Sequence, residues 1–368
     1  MLGEREPPRG GVGHFDPIVQ AARRRSTIIE VAARANVAFS TVSRVLNGGY
    51  ASPEVRARVE QAARDLNYTP SPIARNLKTG RQGCIGVVVE SSQCSWFTQV
   101  LGGIEEALAD KTVSALLGSL NLRGSYDSSM IERWIADRRV DGLVFARCTK
   151  REEGLVSQAR DAQLPMVFIA PDENFSAGPV FVARNREAAR TLTEHLMSHG
   201  HRRFGFLGGP DKSVDALERL NGMRDAMSAH GLDIDASDIH FGDTFPKRGA
   251  AAVAEEWLGR GRSVAPTAVI CANDTLAIEF LRVILQHGVR VPDELSVVGF
   301  DGVPEGALYW PGLTTAKQPS QALGNAACKA LMQMIESPED AGPELIEMPA
   351  ELIVRESSGP AKPVKRTR

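Results

Sequence analysis

The chain has 368 residues, of which 43% are hydrophobic and 24% charged; this length exceeds what one hydrophobic core usually holds and predicts several globular domains. Its five cysteines are odd in number, scattered and without a CxxC pair, which argues against a disulfide framework and a thiolate metal site. No run approaches about eighteen apolar residues and residues 1–25 hold no hydrophobic region, so we expect no membrane span, no signal peptide and a cytoplasmic location.

Charge is unevenly distributed along the chain. Between residues 21 and 82, eleven Lys or Arg stand against four Asp or Glu, a net +7, and because the whole chain is −2 the rest carries −9. A basic segment of this kind is expected where one end of a chain meets phosphate. Residues 1–25, rich in Gly, Pro and Arg, are predicted to be a disordered basic arm.

Residues 27–47 have the pattern of a helix-turn-helix. Thr27 and Glu30 form a capping box that starts a helix. Apolar residues at helical spacing then form two stretches, Ile28, Val31, Ala32 and Ala35 before the turn, and Val37, Val42 and Val45 after it. In such a pair the second helix lies in the major groove, so the side chains expected to face DNA are Phe39, Ser40, Thr41 and Arg44. The alternative is a pair of amphipathic core helices in an all-α subdomain.

A third helix and a short linker follow. Ser52 caps that helix with Pro53 at its first position, and its apolar stripe closes a small three-helix core. Pro70-Ser71-Pro72 then begins a segment that Gly80 stops and that is too short to be a stable helix alone.

From Cys84 onward, apolar strands alternate with amphipathic helices, which predicts a doubly wound α/β architecture in two similar lobes with a cleft between them. The strand candidates are Ile85–Val89, Val113–Leu117, Leu143–Phe145, Met166–Ile169, Phe204–Leu207, Ala268–Cys271 and Val297–Phe300.

Ligands bind beyond the carboxyl ends of strands in such sheets, so the residues after each strand nominate a site. The candidates are Trp96, Phe97, Arg219, Asn273 and Asp301. The two aromatic rings can cover the apolar face of a pyranose or a purine, and the polar side chains suit vicinal hydroxyl groups. Asp274 is expected to cap the next helix. The alternatives are core aromatic residues, Asp301 as a turn former, and Arg219 paired with a neighbouring acid on a solvated face.

Three segments, TVSRVLNG (41–48), NYTPSPIARNLKTG (67–80) and VPDELSVVGFD (291–301), resemble the LacI/GalR family of bacterial repressors over roughly residues 25–356. The resemblance implies an N-terminal all-α helix-turn-helix domain joined to a two-lobed, periplasmic-binding-protein-like effector domain. It also implies a hinge that becomes helical on operator DNA, with Leu77 as a wedge in the minor groove; an ordinary linker with a buried leucine is the alternative. The implied DNA-binding set is Thr27, Phe39, Ser40, Thr41, Arg44, Asn47, Arg75, Leu77 and Lys78. The implied effector set is Trp96, Phe97, Asp215, Arg219, Asn273 and Asp301.

The sequence departs from this family pattern at Ala38, where a Ser or Thr usually caps the second helix, and at Phe39, where a tyrosine or another polar residue is common. His195, His199 and His201 lack an acidic partner in HExxH register and are expected at the surface. No nucleophile elbow, catalytic carboxylate pair or cofactor fingerprint is found, so neither catalysis nor a cofactor is expected.

The expected domains are an arm at 1–25, a DNA-binding domain at 26–70, a hinge at 71–82, an effector and dimerisation domain at 83–358, and a basic tail at 359–368. Lobe 1 is placed at about 83–181 and 314–341, and lobe 2 at about 182–313 and 342–356. The expected function is a dimeric repressor that binds a pseudo-palindromic double-stranded operator and is released by a small sugar. A purine- or nucleoside-responsive co-repressed regulator, a stand-alone solute-binding module and an α/β enzyme with a DNA-binding appendage are the alternatives.

Overall fold

The computed structural model describes residues 26–46, 48–68, 80–91, 94–122, 125–172, 177–242, 248–260, 265–338 and 344–361. Its contacts divide the chain into two compact units, residues 1–80 and residues 81–368.

The described part of the first unit holds three helices: α1, Ile28–Ala35; α2, Phe39–Leu46; and α3, Pro53–Asp65. The capping box is confirmed, because Thr27 Oγ1 accepts from the backbone N–H of Glu30 and the Glu30 carboxylate accepts from that of Thr27. Ser52 caps α3 as expected, with Pro53 at its first position. The apolar stripes of the three helices pack into one core around Val31, Val42, Val45, Val59, Ala62 and Ala63.

The second unit alternates strands and helices. Its strands are β1 Cys84–Val89, β2 Ser114–Ser119, β3 Asn121–Leu122, β4 Ser125–Tyr126, β5 Leu143–Ala146, β6 Met166–Ile169, β7 Val180–Ala183, β8 Phe204–Leu207, β9 Ile239–His240, β10 Ala268–Cys271, β11 Ser296–Asp301, β12 Thr314–Lys317, β13 Leu345–Met348 and β14 Glu351–Ile353. Its α-helices are α4 Ser95–Leu108, α5 Ser129–Ala136, α6 Glu153–Asp161, α7 Asn185–Ser198, α8 Val214–Ser228, α9 Arg248–Gly259, α10 Asp274–Gln286, α11 Pro304–Leu308 and α12 Ser320–Glu336.

Twelve of these strands form two six-stranded sheets, one in each lobe, and β3 pairs with β4 in a separate two-stranded sheet. The order is β13-β7-β6-β5-β1-β2 in lobe 1 and β14-β12-β11-β10-β8-β9 in lobe 2. Every pairing in the two sheets is parallel except that of β12 with β14. Buried apolar side chains form separate cores in the two lobes, so the doubly wound, two-lobed α/β architecture is confirmed.

The expected limits of the lobes were wrong at two strands and shifted at a third. Thr314–Lys317, assigned to lobe 1, pairs with β11 in lobe 2, whereas Leu345–Met348, assigned to lobe 2, pairs with β7 in lobe 1. The whole of Val180–Ala183 also belongs to lobe 1, past the expected limit at 181. Periodicity identifies a strand, but its partner is set by contacts distant in sequence, so these short segments could not be placed beforehand.

His201, expected at the surface, is buried in lobe 2. Its Nε2 lies 3.0 Å from both Ser296 Oγ and the backbone oxygen of Gly359, and its Nδ1 lies 3.0 Å from Thr267 Oγ1. The ring therefore attaches the C-terminal segment to the starts of β10 and β11, and burial lowers the pKa of His201. Within the described ranges, no helix is both long and apolar enough to cross a membrane.

Candidate functional site

One side of α2 carries four of the residues predicted to meet DNA. On α2, Val42 and Val45 point into the core, whereas Phe39 (56% exposed), Ser40 and Arg44 are exposed and Thr41 is half-buried. The buried spacing fixes which side of the helix packs, so the opposite side is free to enter a groove. Asn47, Arg75, Leu77 and Lys78 lie outside the described residues.

A side chain of α3 forms hydrogen bonds with the C-terminal end of α2. Arg56 donates from Nη2 to the backbone oxygen of Gly49 at 2.8 Å and from Nη1 to that of Val45 at 3.5 Å. A cation at a helix C-terminus satisfies carbonyl groups that have no partner within the helix.

Thr27 is the N-cap of α1 and so fixes the start of the helix-turn-helix. The predicted contact of Thr27 with DNA stays a prediction.

In lobe 2, a buried arginine gathers two of the predicted effector residues. Arg219 on α8 is 3% exposed and donates from Nε to Asn185 Oδ1 at 2.9 Å. Its guanidinium nitrogens lie 3.7 Å from Asp215 Oδ2 and 3.6 Å from Asp301 Oδ1, and it also donates to the backbone oxygen of Ala272. Burial on this scale excludes the alternative of an ion pair on a solvated face. Arg219 and Asp301, both nominated from the ends of strands, therefore lie together, with Asp215 beside them.

Asp301 has an unusual backbone and an unusual carboxyl group. It ends β11 with φ at +110°, a conformation that favours glycine and costs on the order of 1–3 kcal/mol for other residues. Gln318 donates to Oδ1 at 2.6 Å. Burial raises the pKa of Asp301 to about 6, although Arg219 and Gln318 oppose that rise. Strain together with a perturbed carboxyl group is typical of a functional position rather than a simple turn.

The prediction that Asp274 caps α10 was wrong by one residue. Asn273 is the N-cap, and its Oδ1 accepts from the backbone N–H of Leu276 at 2.8 Å. Asp274 is the first residue of the helix, and its carboxyl group accepts from Thr315 Oγ1 and from the backbone N–H of Val303. Burial, followed by the charge of Asp301, raises the pKa of Asp274 to about 8, although the hydrogen bonds from Thr315 and Val303 oppose that rise. An Asn-Asp pair offers two cap candidates, and the sequence does not choose between them.

Trp96 and Phe97 begin α4 in lobe 1 and are buried in its core, edge to face with each other. This placement matches the core alternative that the sequence left open, and neither ring face is exposed. The indole Nε1 of Trp96 is buried without a hydrogen-bond partner among the described residues, which is uncommon for a buried donor. The contact of both rings with an effector stays a prediction.

Sequence reasoning missed two charged residues at the ends of lobe 1 strands. Arg147 directly follows β5, and Asp172 lies three residues past β6; both side chains are mostly buried. Arg147 lies 2.9 Å from Asp172 and 3.4 Å from Glu90. The strand-end rule would have found both residues had it been applied to these two strands as well.

The two lobes meet through these residues. Ser213 of lobe 2 donates from Oγ to Asp172 Oδ1 at 3.0 Å, and the N–H of Val214, the first residue of α8, reaches the same oxygen at 3.2 Å. Arg147 also donates to Ser213 Oγ at 3.4 Å. We define the interlobe cluster as Glu90, Arg147, Asp172, Ser213, Asp215, Arg219 and Asp301.

Comparison with known proteins places both units. Residues 27–71 match the model of bacterial regulatory proteins, lacI family, and residues 193–358 match that of a periplasmic binding protein-like domain. The HTH-type transcriptional repressor PurR of Photobacterium profundum is 31% identical over 338 residues, covering 90% of this chain and 98% of that protein. The protein of the same name from Escherichia coli is 32% identical over 350 residues, covering 93% and 100%.

Two solved structures are also similar. The Lac repressor dimer bound to operator and the anti-inducer ONPF has a TM-score of 0.76 at 26% identity, covering 91% of this chain and all of that one. The transcriptional regulator CelR in complex with cellobiose has a TM-score of 0.66 at 28% identity with the same coverage. These relatives are transcription regulators.

Proposed function

The chain belongs to the LacI family of bacterial regulatory proteins, and we propose that it is a dimeric repressor of a sugar-utilisation operon, released from a pseudo-palindromic operator by a small sugar. The described face of α2 supports the DNA-binding part, because Phe39, Ser40 and Arg44 are exposed beside a packed core. The dimer is supported by the dimeric Lac repressor, which has the more similar fold of the two structures compared above. No catalytic role and no cofactor are proposed.

One observation carries the effector part: Arg219, Asp215 and Asp301 lie together beyond the carboxyl ends of the lobe 2 strands. Buried guanidinium and carboxylate groups offer donors and acceptors at fixed positions, as vicinal hydroxyl groups require. The strained backbone of Asp301 indicates that its carboxyl group is held in place at a local energetic cost. The cellobiose complex of CelR, a relative of similar fold, favours a sugar.

A purine- or nucleoside-responsive co-repressed regulator is the second candidate. The name PurR, shared by the relatives described above, fits it, and the unpartnered Nε1 of Trp96 could donate to a ring nitrogen or to an exocyclic oxygen. The excess of carboxylates in the interlobe cluster favours hydroxyl groups over a base, which is why we place the sugar first.

The proposed switch uses the two lobes. A ligand shifts an equilibrium only by its differential affinity for two states, so an effector that contacts both lobes must favour one lobe arrangement. Movement of lobe 1, which directly follows residues 71–82, would change the spacing of paired hinges in a dimer. We propose that these marginal helices then form or melt and that Leu77 enters or leaves the minor groove.

The test begins with a thermal-shift screen of sugars, purines and nucleosides against the full chain. Ligands that stabilise it are then added to a mobility-shift assay with an operator obtained by selection from random DNA. A sugar that stabilises the protein and releases the operator supports the proposal; a purine that strengthens operator binding replaces it with the second candidate. A chain that selects no DNA sequence would contradict both.

Two variants sharpen the assignment of the site. Asp301→Ala should lose the response to the ligand while retaining operator binding, because its carboxylate belongs to the proposed site and not to the DNA-binding face. Asp225→Ala, which removes an exposed carboxylate paired with Arg186 on the same lobe, should respond normally.

A further inference from the structure

We propose that Asp172 is a specificity-determining residue: a built-in anion that fills a place between the lobes suited to a negatively charged group. The cleft therefore accepts neutral polyols and rejects phosphorylated or carboxylated ligands. The regulatory role of Asp172 rests on the proposed function. The effect of Asp172 on anion binding can be measured without DNA and without a sugar.

Both oxygens of the Asp172 carboxylate are engaged. Oδ2 lies 2.9 Å from Arg147 Nη2, while Oδ1 accepts from Ser213 Oγ at 3.0 Å and from the backbone N–H of Val214 at 3.2 Å. The guanidinium belongs to lobe 1, and the hydroxyl and amide groups belong to lobe 2. A carboxylate from one lobe thus occupies the start of helix α8 in the other.

These partners are the groups that proteins use to bind anions. The N-terminus of a helix carries unpaired N–H groups and a partial positive charge, and it binds phosphate, sulfate or carboxylate. A guanidinium adds the planar pair of donors that phosphate and carboxylate favour. In this chain the Asp172 carboxylate binds both the helix N-terminus and the guanidinium. An incoming anion would therefore have to displace a side chain of the protein itself.

The surrounding charge also disfavours an anion. The described residues of the interlobe cluster hold four carboxylates, from Glu90, Asp172, Asp215 and Asp301, against two guanidiniums, from Arg147 and Arg219. Burial lowers the pKa of Arg147, but the charges of Asp172, Asp215, Glu90 and Asp301 outweigh that effect, and the net pKa is raised. With both guanidiniums already compensated, an added anion would face a net negative environment.

The test replaces Asp172 and uses inorganic phosphate and sulfate as probes. Wild-type protein, Asp172→Ala and the matched control Asp225→Ala are compared by thermal shift and by calorimetry at constant ionic strength set with chloride. We expect Asp172→Ala to bind phosphate at least tenfold more tightly than wild type, because the carboxylate no longer competes for the guanidinium and the helix N-terminus. Asp225→Ala, which frees the exposed Arg186, should show no gain.

A second variant and a double variant complete the design. Asp172→Ser keeps a polar group near the start of α8 and should also gain phosphate binding. It replaces Asp172→Ala in the test if that variant fails to fold. Adding Arg147→Met to either variant should remove the gain. The proposal is overturned if wild type binds phosphate as tightly as the variants, if no folded Asp172 variant gains binding, or if the gain survives Arg147→Met. A failed operator assay with a normal phosphate result would contradict only the proposed function.

Discussion

Replacing Arg219 with Met should strongly destabilise lobe 2. The substitution keeps an unbranched side chain of similar length but removes the charge that compensates Asp215 and Asp301, as well as the donor to Asn185. Removing one partner of a buried ion pair leaves an uncompensated buried charge and costs about 3–5 kcal/mol. Since the guanidinium is 3% exposed and bonded to several groups, we expect a loss within that range.

The loss should depend on pH. With Arg219 present, the folded-state pKa of Asp301 is about 6, above its ordinary value of 3.8, so ionising this carboxyl group already disfavours the folded state as pH rises through that interval. Removing Arg219 raises this pKa further. Up to a pKa of about 8, each additional unit costs about 1.4 kcal/mol at pH 8, where Asp301 is ionised, and almost nothing at pH 5, where it is mostly protonated.

Amide hydrogen exchange of peptides covering β8 and β11 reports the opening free energy of this lobe, measured at pH 8 and pH 5 with correction for intrinsic rates. Arg186→Met is the matched control: its exposed pair with Asp225 is worth about 0–1 kcal/mol. A loss below about 1 kcal/mol for Arg219→Met at pH 8, or a larger loss at pH 5 than at pH 8, would refute the electrostatic reasoning.

Three further predictions concern other parts of the chain. Gly103→Ala should destabilise lobe 1, because its Cβ would overlap the backbone oxygen of Gln321 on α12, whereas Gly102→Ala on the same helix has open space and should stabilise by up to about 1 kcal/mol; equal unfolding midpoints would contradict this. Arg44→Ala should weaken binding to the selected operator by about 1–3 kcal/mol in anisotropy titrations, and an equal loss on random DNA would make Arg44 a phosphate contact. The pKa of buried His201 is lowered, so stability should be full above about pH 6.5 and fall below it as the unfolded chain takes up a proton; His201→Gln should flatten that slope, and an unchanged slope in pH-dependent unfolding would exclude the ring as its source.

Local features of the fold were predictable from the sequence. The capping box at Thr27 and the cap at Ser52 involve residues within three positions of each other, so their partners can be identified from the sequence alone. The alternation of strands and helices was also visible, because burial on both sheet faces produces continuous apolar runs. These local signals were sufficient for the helix-turn-helix and the α/β class.

Features that depend on distant contacts were not predictable in the same way. The lobe that holds Thr314–Lys317 is decided by pairing with β11. Asn273 rather than Asp274 caps α10, while the Asp274 carboxyl group binds Val303 and Thr315, which are distant in sequence. The contacts of Asp172 join it to Arg147, 25 positions away in the same lobe, and to Ser213, 41 positions away in the other lobe. The sequence could have nominated these residues from their positions beyond the ends of strands, but it could not have shown that they contact one another.

The most direct test of effector-controlled DNA binding by this chain is operator affinity measured by anisotropy while the sugar identified in the thermal-shift screen is titrated in. Wild type and Asp301→Ala should bind the operator equally without the sugar, and only wild type should be released as the sugar is added. Release of both proteins at the same sugar concentration would contradict the assignment of the buried Arg219, Asp215 and Asp301 group as the effector site.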